Sequence, residues 1–364
     1  MEKENMYCGV DLHYGKSSFC FVDDKGKMKD FQEINTTKEA IKGLLGKCRD
    51  YQVNYAFEAG GMARYFYKIV QGMNNTEKVH VVHPYKFKII TESKNKNDKE
   101  DSKKLAKALQ KDYLPYPVHI KSDKSRSLQI FLGIRKRMVL TRSKIMNQAK
   151  SITRSLGIKS NTKCIKTDKG FSKLIALLKE HNFEQKIIKE LHAEFNIETK
   201  KIEGIEDRIK DQIMEDNEFK TNYGLLVTIP GIGFVGAATI LSVIDNVSRF
   251  NTAGEYSSYC GLVPSEHSSG NKIVHGRITK EGPTNLRTVY IQAAWSIVRY
   301  RKSSDDLRLN KLRKKFYRIS IKGKNSQRAV VAVARHLSRI TFGVLKHQKE
   351  YCGNNLEENK TQAC

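Results

Sequence analysis

Four acidic residues in the first third of the chain have the type and spacing that metal-dependent phosphoryl transfer requires. Asp11 ends an apolar run in GVDLHYGK, and Glu58 ends a second apolar run in FEAGG. Asp98 and Asp101 stand three residues apart in KNKNDKEDSKKLAKAL, where the apolar residues recur at helical spacing. Side chains three residues apart share one face of a helix. The four carboxylates can therefore act together if strands and helix bring them to one cleft.

Neighbouring carboxylates repel one another and do not all stay ionised without a cation. Their oxygens suit Mg²⁺, with Mn²⁺ as the alternative ion, and phosphate oxygens can complete the ligand shell. Two such ions would stabilise the entering and leaving oxygens of a phosphodiester. Taken singly, each acid has a simpler explanation as a solvated charge or part of a turn. For Asp98 and Asp101, the simpler explanation is that acids in the first turn of a helix complement the helix dipole, with Asn97 as the N-cap.

The elements that must position these acids follow from the local patterns. MYCGVDL and SSFCFVDD are β-rich runs joined by a turn at HYGK, and DDKGK marks a second turn. A helix fits TKEAIKGLLGKCRDY, then come the strand NYAFEA, the helix GGMARYFYKIVQGMN and the strand KVHVVHP. This order predicts a mixed sheet covered by helices, an α/β fold. The ends of such strands point into the crevice where ligands usually bind.

The chain is expected to contain four regions. Residues 1–120 form the acid-bearing domain, 121–218 a helical arm, 219–350 a mainly helical C-terminal domain, and 351–364 a polar tail. Apolar residues of the arm follow alternating steps of three and four, as in a heptad seam: Ile188, Leu191, Phe195, Ile202, Ile205 and Ile209. The seam fits an intramolecular hairpin and a dimerising coiled coil equally well.

Two glycines in TIPGIGFVGA form a second candidate site. Gly231 and Gly233 flank one isoleucine just before a helical run. Backbone amides that are left free at such a turn can bind a phosphate, as in helix–hairpin–helix DNA-binding proteins. The alternative is that the glycines simply let the chain cross between two helices.

A serine doublet in PSEHSSGNKIVHGRITKEG forms the third candidate site. Ser268 and Ser269 precede a glycine in a polar segment. A serine hydroxyl is a poor nucleophile unless a base, a metal or dense positive charge assists it. Three cations downstream could stabilise charge that develops on a phosphate: Arg277, Lys280 and Arg287. Without such support, the segment is an ordinary Ser-Gly turn.

The charge of the chain points to nucleic acid. Its 364 residues include 66 Lys and Arg against 39 Asp and Glu, a formal net charge of +27. Between residues 121 and 159, eleven Lys and Arg face one acid, and such density favours a polyanionic partner. A membrane is not expected, because no basic amphipathic anchor, lipidation motif or apolar run of about 18 residues stands out. Seven cysteines without a CxxC pair and a charged N-terminus predict a cytoplasmic protein.

Taken in order, these motifs resemble the DEDD transposases of insertion sequences, the IS110 group with the pilin-gene invertases. GVDLHYGK, FEAGG and KNDKEDSKKLA resemble the three acidic motifs of that family. IPGIG, RFNTAGEYSSYCGLVP, SSG and ITKEGPTNLR resemble its second domain. Asn97 and Gly60 stand where the family commonly has threonine, and Ser102 stands where alanine is typical. None of these departures removes a carboxylate, so an active enzyme is expected.

The resemblance implies a RuvC-like RNase H fold in which the four carboxylates hold Mg²⁺. It also implies a nucleophilic serine immediately before a glycine, which maps to Ser269, with Ser268 as the alternative. The expected activity is DNA recombination through a serine–phosphate intermediate, guided by a structured bridge RNA and carried out by a homodimer or homotetramer. Two other functions remain open: a metal-dependent nuclease or junction resolvase that uses water as the nucleophile, and a non-enzymatic nucleic-acid-binding protein.

Overall fold

The chain folds into two compact units, Met1–Lys121 and Ser122–Cys364. The computed structural model describes residues 3–90, 97–158, 164–266, 275–299, 307–323 and 325–352. The predicted boundary at residue 219 falls inside the second unit. Apart from its first two residues, the predicted polar tail lies outside the described ranges. No helix within these ranges is long and apolar enough to cross a membrane.

The first unit is a five-stranded mixed sheet with helices. Its elements, in chain order, are β1 (Glu4–Asp11), β2 (Lys16–Val22), β3 (Met28–Asn35), α1 (Lys38–Leu45), β4 (Tyr51–Glu58), α2 (Ala63–Gln71), β5 (Thr76–Val82), α3 (Pro84–Ile90) and α4 (Asp98–Gln110). The strand order is β3-β2-β1-β4-β5. The first three strands pair antiparallel, and β4 and β5 continue the sheet in parallel from β1. The predicted mixed α/β sheet is confirmed, and it has an RNase H-like pattern.

Alternation along the strands assigns the two faces of this sheet to different helices. Cys8 and Val10 of β1 point into a core shared with α1 and α2. On the opposite face, Ala56 of β4 packs with Leu105 of α4, and Ala106 of α4 packs with β2. Helix α4 therefore covers the face toward which Gly9 and Asp11 are directed.

Gly9 permits α4 to touch β1 directly. A Cβ at this position would overlap the carbonyl oxygen of Ser102 and the backbone nitrogen of Ala106. The helix begins where the sequence predicts, since the Asn97 side chain accepts a hydrogen bond from the Lys99 N–H at 2.9 Å. The first turn of α4 is thereby fixed near the end of β1.

The second unit is mainly helical. Its elements are α5 (Asp123–Ser155), α6 (Asp168–Leu177), α7 (Asn182–Glu215), α8 (Asn217–Val227), α9 (Phe234–Ile244), α10 (Ala253–Tyr259), β6 (Pro264–Glu266), β7 (His275–Ile278), α11 (Thr284–Arg299), α12 (Leu307–Gly323) and α13 (Ser326–His347). The two strands form an antiparallel hairpin. A large core joins α8 to α13 with the ends of α5 and α7, which explains why the arm and the C-terminal helices form one unit.

Helices α5 and α7 form a hairpin within one chain. All six predicted seam residues of α7 are buried. The ion pair of Arg135 with Glu206 (2.6 Å) and the hydrogen bond of Arg142 with Thr199 (3.4 Å) show that the helices run antiparallel. Of the two readings left open by the heptad pattern, the intramolecular hairpin is the one observed.

The predicted tail begins too early. Tyr351 is 8% exposed and packs in the core of the second unit. Its backbone N–H donates to the Thr228 hydroxyl at 3.0 Å. The polar composition that follows this tyrosine gave no indication of that burial.

Replacement of Gly9 by alanine tests the contact between α4 and β1. The new methyl group would meet helix backbone that cannot rotate away, so we expect Gly9→Ala to lower the free energy of unfolding by about 2 kcal/mol or more. Urea unfolding monitored by circular dichroism measures the change. Gly43→Ala is the matched control, because Gly43 lies in α1 with open space around it, and alanine there should be neutral or stabilising. Equal unfolding energies for the two variants would contradict the proposed packing constraint.

Candidate active site

Asp11 and Glu58 are the last residues of neighbouring parallel strands. Strands β1 and β4 pair in register up to Val10 opposite Phe57, so the two acids follow at the next position. Paired residues of neighbouring strands direct their side chains to the same face. Both carboxylates therefore leave the sheet on the face that α4 covers.

The first turn of α4 brings Asp98 next to Asp11. Oxygen atoms of these two carboxylates and a ring nitrogen of His13 all lie within 4.8 Å of one another. The His13 Nε2 is 3.3 Å from the Asp11 Oδ2. These three side chains form the tightest group of metal-ligand donors among the described residues.

His13 was not among the sequence-predicted site residues. It belongs to the turn between β1 and β2, two residues after Asp11. Its carbonyl oxygen accepts hydrogen bonds from the hydroxyl groups of Thr36 (2.7 Å) and Ser17 (3.4 Å), which fix the turn. A histidine shortly after a strand-terminal aspartate is the only signal that the sequence offers, and it is a weak one.

Asp101 and Glu58 lie at the margin of this group. Asp101 is one turn further along α4, and its Oδ1 is 3.5 Å from the Lys104 Nζ. Its negative charge raises the pKa of Asp11. Glu58 is exposed at the end of β4. The structure thus brings Asp11 and Asp98 together with His13, and it places the other two acids on the same face without joining them to the ligand group.

The ionised form of Asp11 is disfavoured in its surroundings. Burial raises the pKa of the Asp11 carboxyl above its ordinary value, and the negative charges of Asp98 and Asp101 raise this pKa further. His13 acts in the opposite direction and lowers the pKa. A cation bound by Asp11, His13 and Asp98 would relieve the repulsion between the carboxylates. The donor set and its geometry therefore fit a divalent cation: the carboxylates suit Mg²⁺ or Mn²⁺, and the imidazole adds a softer nitrogen ligand.

Comparisons with known proteins identify transposases as relatives of this chain. The transposase family model named for its DEDD domain and for IS110 matches residues 8–157, and the model described as "Transposase IS116/IS110/IS902 family" matches residues 223–308. The transposase for insertion sequence element IS1111A of Coxiella burnetii is 25% identical over 363 residues, which cover 96% of this chain and 93% of that relative. A probable family 20 transposase of Pseudomonas aeruginosa is 25% identical over 305 residues, 81% of this chain and 85% of the relative. A pilin gene-inverting protein of Moraxella lacunata is 31% identical over 135 residues, 37% and 40% of the two chains.

The chain belongs to the IS110/IS116/IS902 family of transposases. It is therefore an enzyme with a DEDD nuclease-type domain, and the match to that domain covers most of the first unit and continues through α5. A DEDD domain implies metal-dependent catalysis, and a transposase implies binding to DNA. The acidic group on the face covered by α4 lies within the matched residues of the DEDD transposase model.

The serine segment of the transposase lies outside the described residues. Ser268 and Ser269 belong to the interval between β6 and β7, whose strands pair Pro264 with Ile278 and Glu266 with His275.

The three cations predicted to contact phosphate differ in their surroundings. Arg277 and Lys280 line a cleft in the second unit of the transposase. Arg287 instead donates hydrogen bonds to the carbonyl oxygen of Lys280 (3.0 Å) and to the Thr284 hydroxyl (3.3 Å). These bonds tie the loop before α11 to the helix, so Arg287 has a clear structural role.

The two glycines of TIPGIGFVGA also differ. Gly231 has a positive φ of 81°, and a Cβ there would be 2.7 Å from the Ala293 carbonyl oxygen of α11. Close helix packing therefore requires this glycine. Gly233 precedes α9 without a side-chain cap and has open space around it. Its surroundings leave room for a ligand at the start of α9, whereas those of Gly231 do not.

Neutralising Asp11 should stabilise the metal-free protein. The pKa of Asp11 is raised in the folded state, so its ionised form weighs against folding at pH values above that pKa and ceases to do so as the pH falls through it. We expect Asp11→Asn to raise the melting temperature by about 1–3 °C at pH 7 in EDTA, with a smaller gain near pH 4.

The same variant should lose the thermal stabilisation that Mg²⁺ or Mn²⁺ gives to the unmodified protein. Differential scanning fluorimetry with and without the ion measures both effects. Glu77→Gln on β5 is the control for the removal of one negative charge elsewhere in the unit. An unchanged metal-dependent shift in Asp11→Asn would exclude Asp11 as a ligand.

Proposed function

We propose that this transposase is a metal-dependent DNA recombinase whose strand cleavage depends on Asp11, Asp98 and Asp101, with Glu58 as the fourth acid. The observation that carries the proposal is the convergence of Asp11, His13 and Asp98 at the end of β1. The sheet order and the helix across its acidic face support a RuvC-like form of the RNase H fold.

The acidic group would bind a divalent cation through Asp11 and Asp98, with Asp101 and Glu58 recruited from the same face. When bound, the ion would supply Lewis-acid stabilisation of the charge on the phosphate oxygens. His13 would either complete the ligand set or keep its Nε2 hydrogen-bonded to Asp11 and so orient that carboxylate.

Strand exchange would use a serine nucleophile. In this proposal, the Ser269 hydroxyl attacks the phosphorus, an Oγ–P bond forms, and the P–O bond to one deoxyribose breaks. The serine proton leaves to a base, and the departing deoxyribose oxygen takes up a proton. Attack by the freed deoxyribose hydroxyl on the phosphoserine then reverses the step on a new partner. Ser268 is the alternative nucleophile. The support is the family match, which spans both serines.

Guide RNA and oligomerisation complete the proposal. The net charge of +27 suits binding to nucleic acid, and the resemblance to the family implies that a structured guide RNA is a partner beside DNA. Two or four copies of the chain would act together, because strand exchange requires at least two cleaved sites. The phosphate contacts that we assign to Arg277, Lys280 and the open amide of Gly233 belong to this proposal.

Loss of single acids should abolish recombination without unfolding the protein. In cells that carry the element with its flanking DNA, we expect Asp98→Asn and Asp101→Asn to reduce the rejoined-junction signal, measured by quantitative PCR, by more than about 100-fold. Glu100→Gln is the matched control, because Glu100 lies in the same helical turn and pairs with Lys103 at 3.2 Å. Normal junction formation by both aspartate variants would refute the metal-site assignment.

Replacement of the serine separates recombination from hydrolysis. We expect the unmodified protein to form denaturant-stable covalent adducts with labelled DNA, and Ser269→Ala to form none while it still binds DNA. Ser268→Ala is the control and should retain adducts. If adducts persist in Ser269→Ala and vanish in Ser268→Ala, the nucleophile is Ser268. Metal-dependent cleavage with free ends and no adduct in the unmodified protein would instead identify a nuclease that uses water.

A further inference from the structure

A basic cleft of about 830 Å³ lies in the second unit between the β6–β7 hairpin, α12 and the start and one face of α13. Six of its lining residues are cations: Arg277, Lys280, Lys315, Arg328, Arg335 and Arg339. None of the described residues that line it is acidic. Four of the six cations lie on α12 and α13.

The placement of the α13 residues follows from the amphipathic pattern of that helix. Arg328, Arg335 and Arg339 recur at intervals of seven and four residues and share one face. The opposite face, which includes Val333 and Leu337, is buried in the core of the unit. Because the core fixes the helix, its arginines are held along one wall of the cleft.

Among the described residues, no acid lines the cleft and offsets the charge of its cations. Burial lowers the pKa of the Lys315 ammonium group, and the charges of Arg318, Arg339 and Arg335 lower it further. Partial burial of an ammonium group is unfavourable without a compensating partner, and none of the described acids forms an ion pair with Lys315. A bound anion would supply the missing charge.

His336, which also lines the cleft, is affected by the same positive charges. Burial lowers the pKa of His336 to about 4, with further lowering by Lys315 and Arg339. Arg335 lies beside it on α13, and Arg277 and Lys280 line the facing hairpin side of the cleft. Any anion that enters the cleft would offset these positive charges and raise the pKa of His336.

The size and lining of the cleft limit the anion that fits. A volume of about 830 Å³ lies in the range of pockets that hold ligands of drug-like size, so the cleft itself has room for a few nucleotides of one strand. No Phe, Tyr or Trp is among the described lining residues, so these residues offer no aromatic ring on which a base could stack. Cations along one wall instead match a row of phosphates.

We propose that this cleft binds the sugar–phosphate backbone of a single DNA strand, independently of its base sequence. The choice of DNA rests on the proposed function as a DNA recombinase. The binding face consists mainly of Arg328, Arg335 and Arg339 of α13 and Lys315 of α12.

Fluorescence anisotropy on the full-length protein tests this proposal, with a labelled single-stranded DNA oligonucleotide and an abasic strand of equal length as probes. The corresponding DNA duplex and RNA strand are measured for comparison. We expect the double variant Arg335→Ala/Arg339→Ala to lose at least about tenfold in affinity for both strands. The slope of log affinity against log salt should become shallower by about 1.4, since each phosphate contact on a single strand contributes about 0.7.

The matched control is Lys314→Ala/Lys346→Ala. It removes the same charge from exposed positions of α12 and α13 that do not line the cleft, and we expect it to lose less than about threefold. Because Arg335 and Arg339 are exposed and repel their neighbours, their removal should leave the melting temperature unchanged or raised.

A second measurement does not depend on total affinity. In protein with ¹³C-labelled histidine, addition of the abasic strand should raise the pKa of His336 by NMR titration, with His336→Gln used to assign the signal. Equal losses in the two double variants, a loss confined to duplex DNA or to RNA, or an unmoved His336 would each overturn the proposal.

The failure of this proposal and the failure of the proposed function give different results. Asp98→Asn should bind the single strand normally and yet fail to recombine DNA. If the cleft variants bind normally while Asp98→Asn is inactive, only the cleft proposal fails. If the cleft variants lose affinity while the acidic variants recombine normally, only the metal-site proposal fails.

Discussion

The backbone of α4 rests directly on β1 at Gly9, and the acidic site depends on this contact. A side chain at Gly9 would separate the helix from the strand, and Asp98 would move away from Asp11. Ser102 meets the same requirement from the helix side: it is fully buried and small, and its hydroxyl donates to the Lys99 carbonyl oxygen at 3.0 Å. The serine that replaces the alanine typical of the family therefore keeps the helix close and leaves no buried donor unpaired.

The first turn of α4 contains three acids, and one of them is directed toward Asp11 and His13. Glu100 and Asp101 each pair with a lysine three residues later, at 3.2 Å and 3.5 Å. Asp98 instead joins Asp11 and His13. The dipole explanation and the metal explanation for these acids are compatible, because all three stabilise the helix start while the direction of each side chain decides its further role. Asp101 does both, because its carboxylate pairs with Lys104 and its negative charge also raises the pKa of Asp11.

Local signals in the sequence were sufficient for the mixed sheet, the Asn97 cap and the placement of Asp11 and Glu58 at strand ends. Features that depend on distant parts of the chain were not predictable. His13 is positioned by Thr36, which is 23 residues away, and Gly231 is required by a carbonyl of α11. The heptad seam has the same spacing whether its partner is α5 or a second chain, so only the fold could distinguish the two. In the sequence, Arg335 and Arg339 resemble ordinary surface arginines, and only the fold shows that they line a cleft together with residues of α12 and the hairpin.

The candidate sites of the two units carry charges of opposite sign. In the first unit, burial and neighbouring negative charge raise the pKa of a carboxyl group, which a bound cation would reverse. In the second, burial and neighbouring positive charge lower the pKa values of Lys315 and His336, which a bound anion would reverse. The divalent cation and the DNA strand that we propose as ligands would each bring the opposite charge to one of these sites. Among the described residues, repulsion between like charges remains around Asp11 and along the basic cleft. A ligand of opposite charge would remove this repulsion, and the free energy released would contribute to its binding.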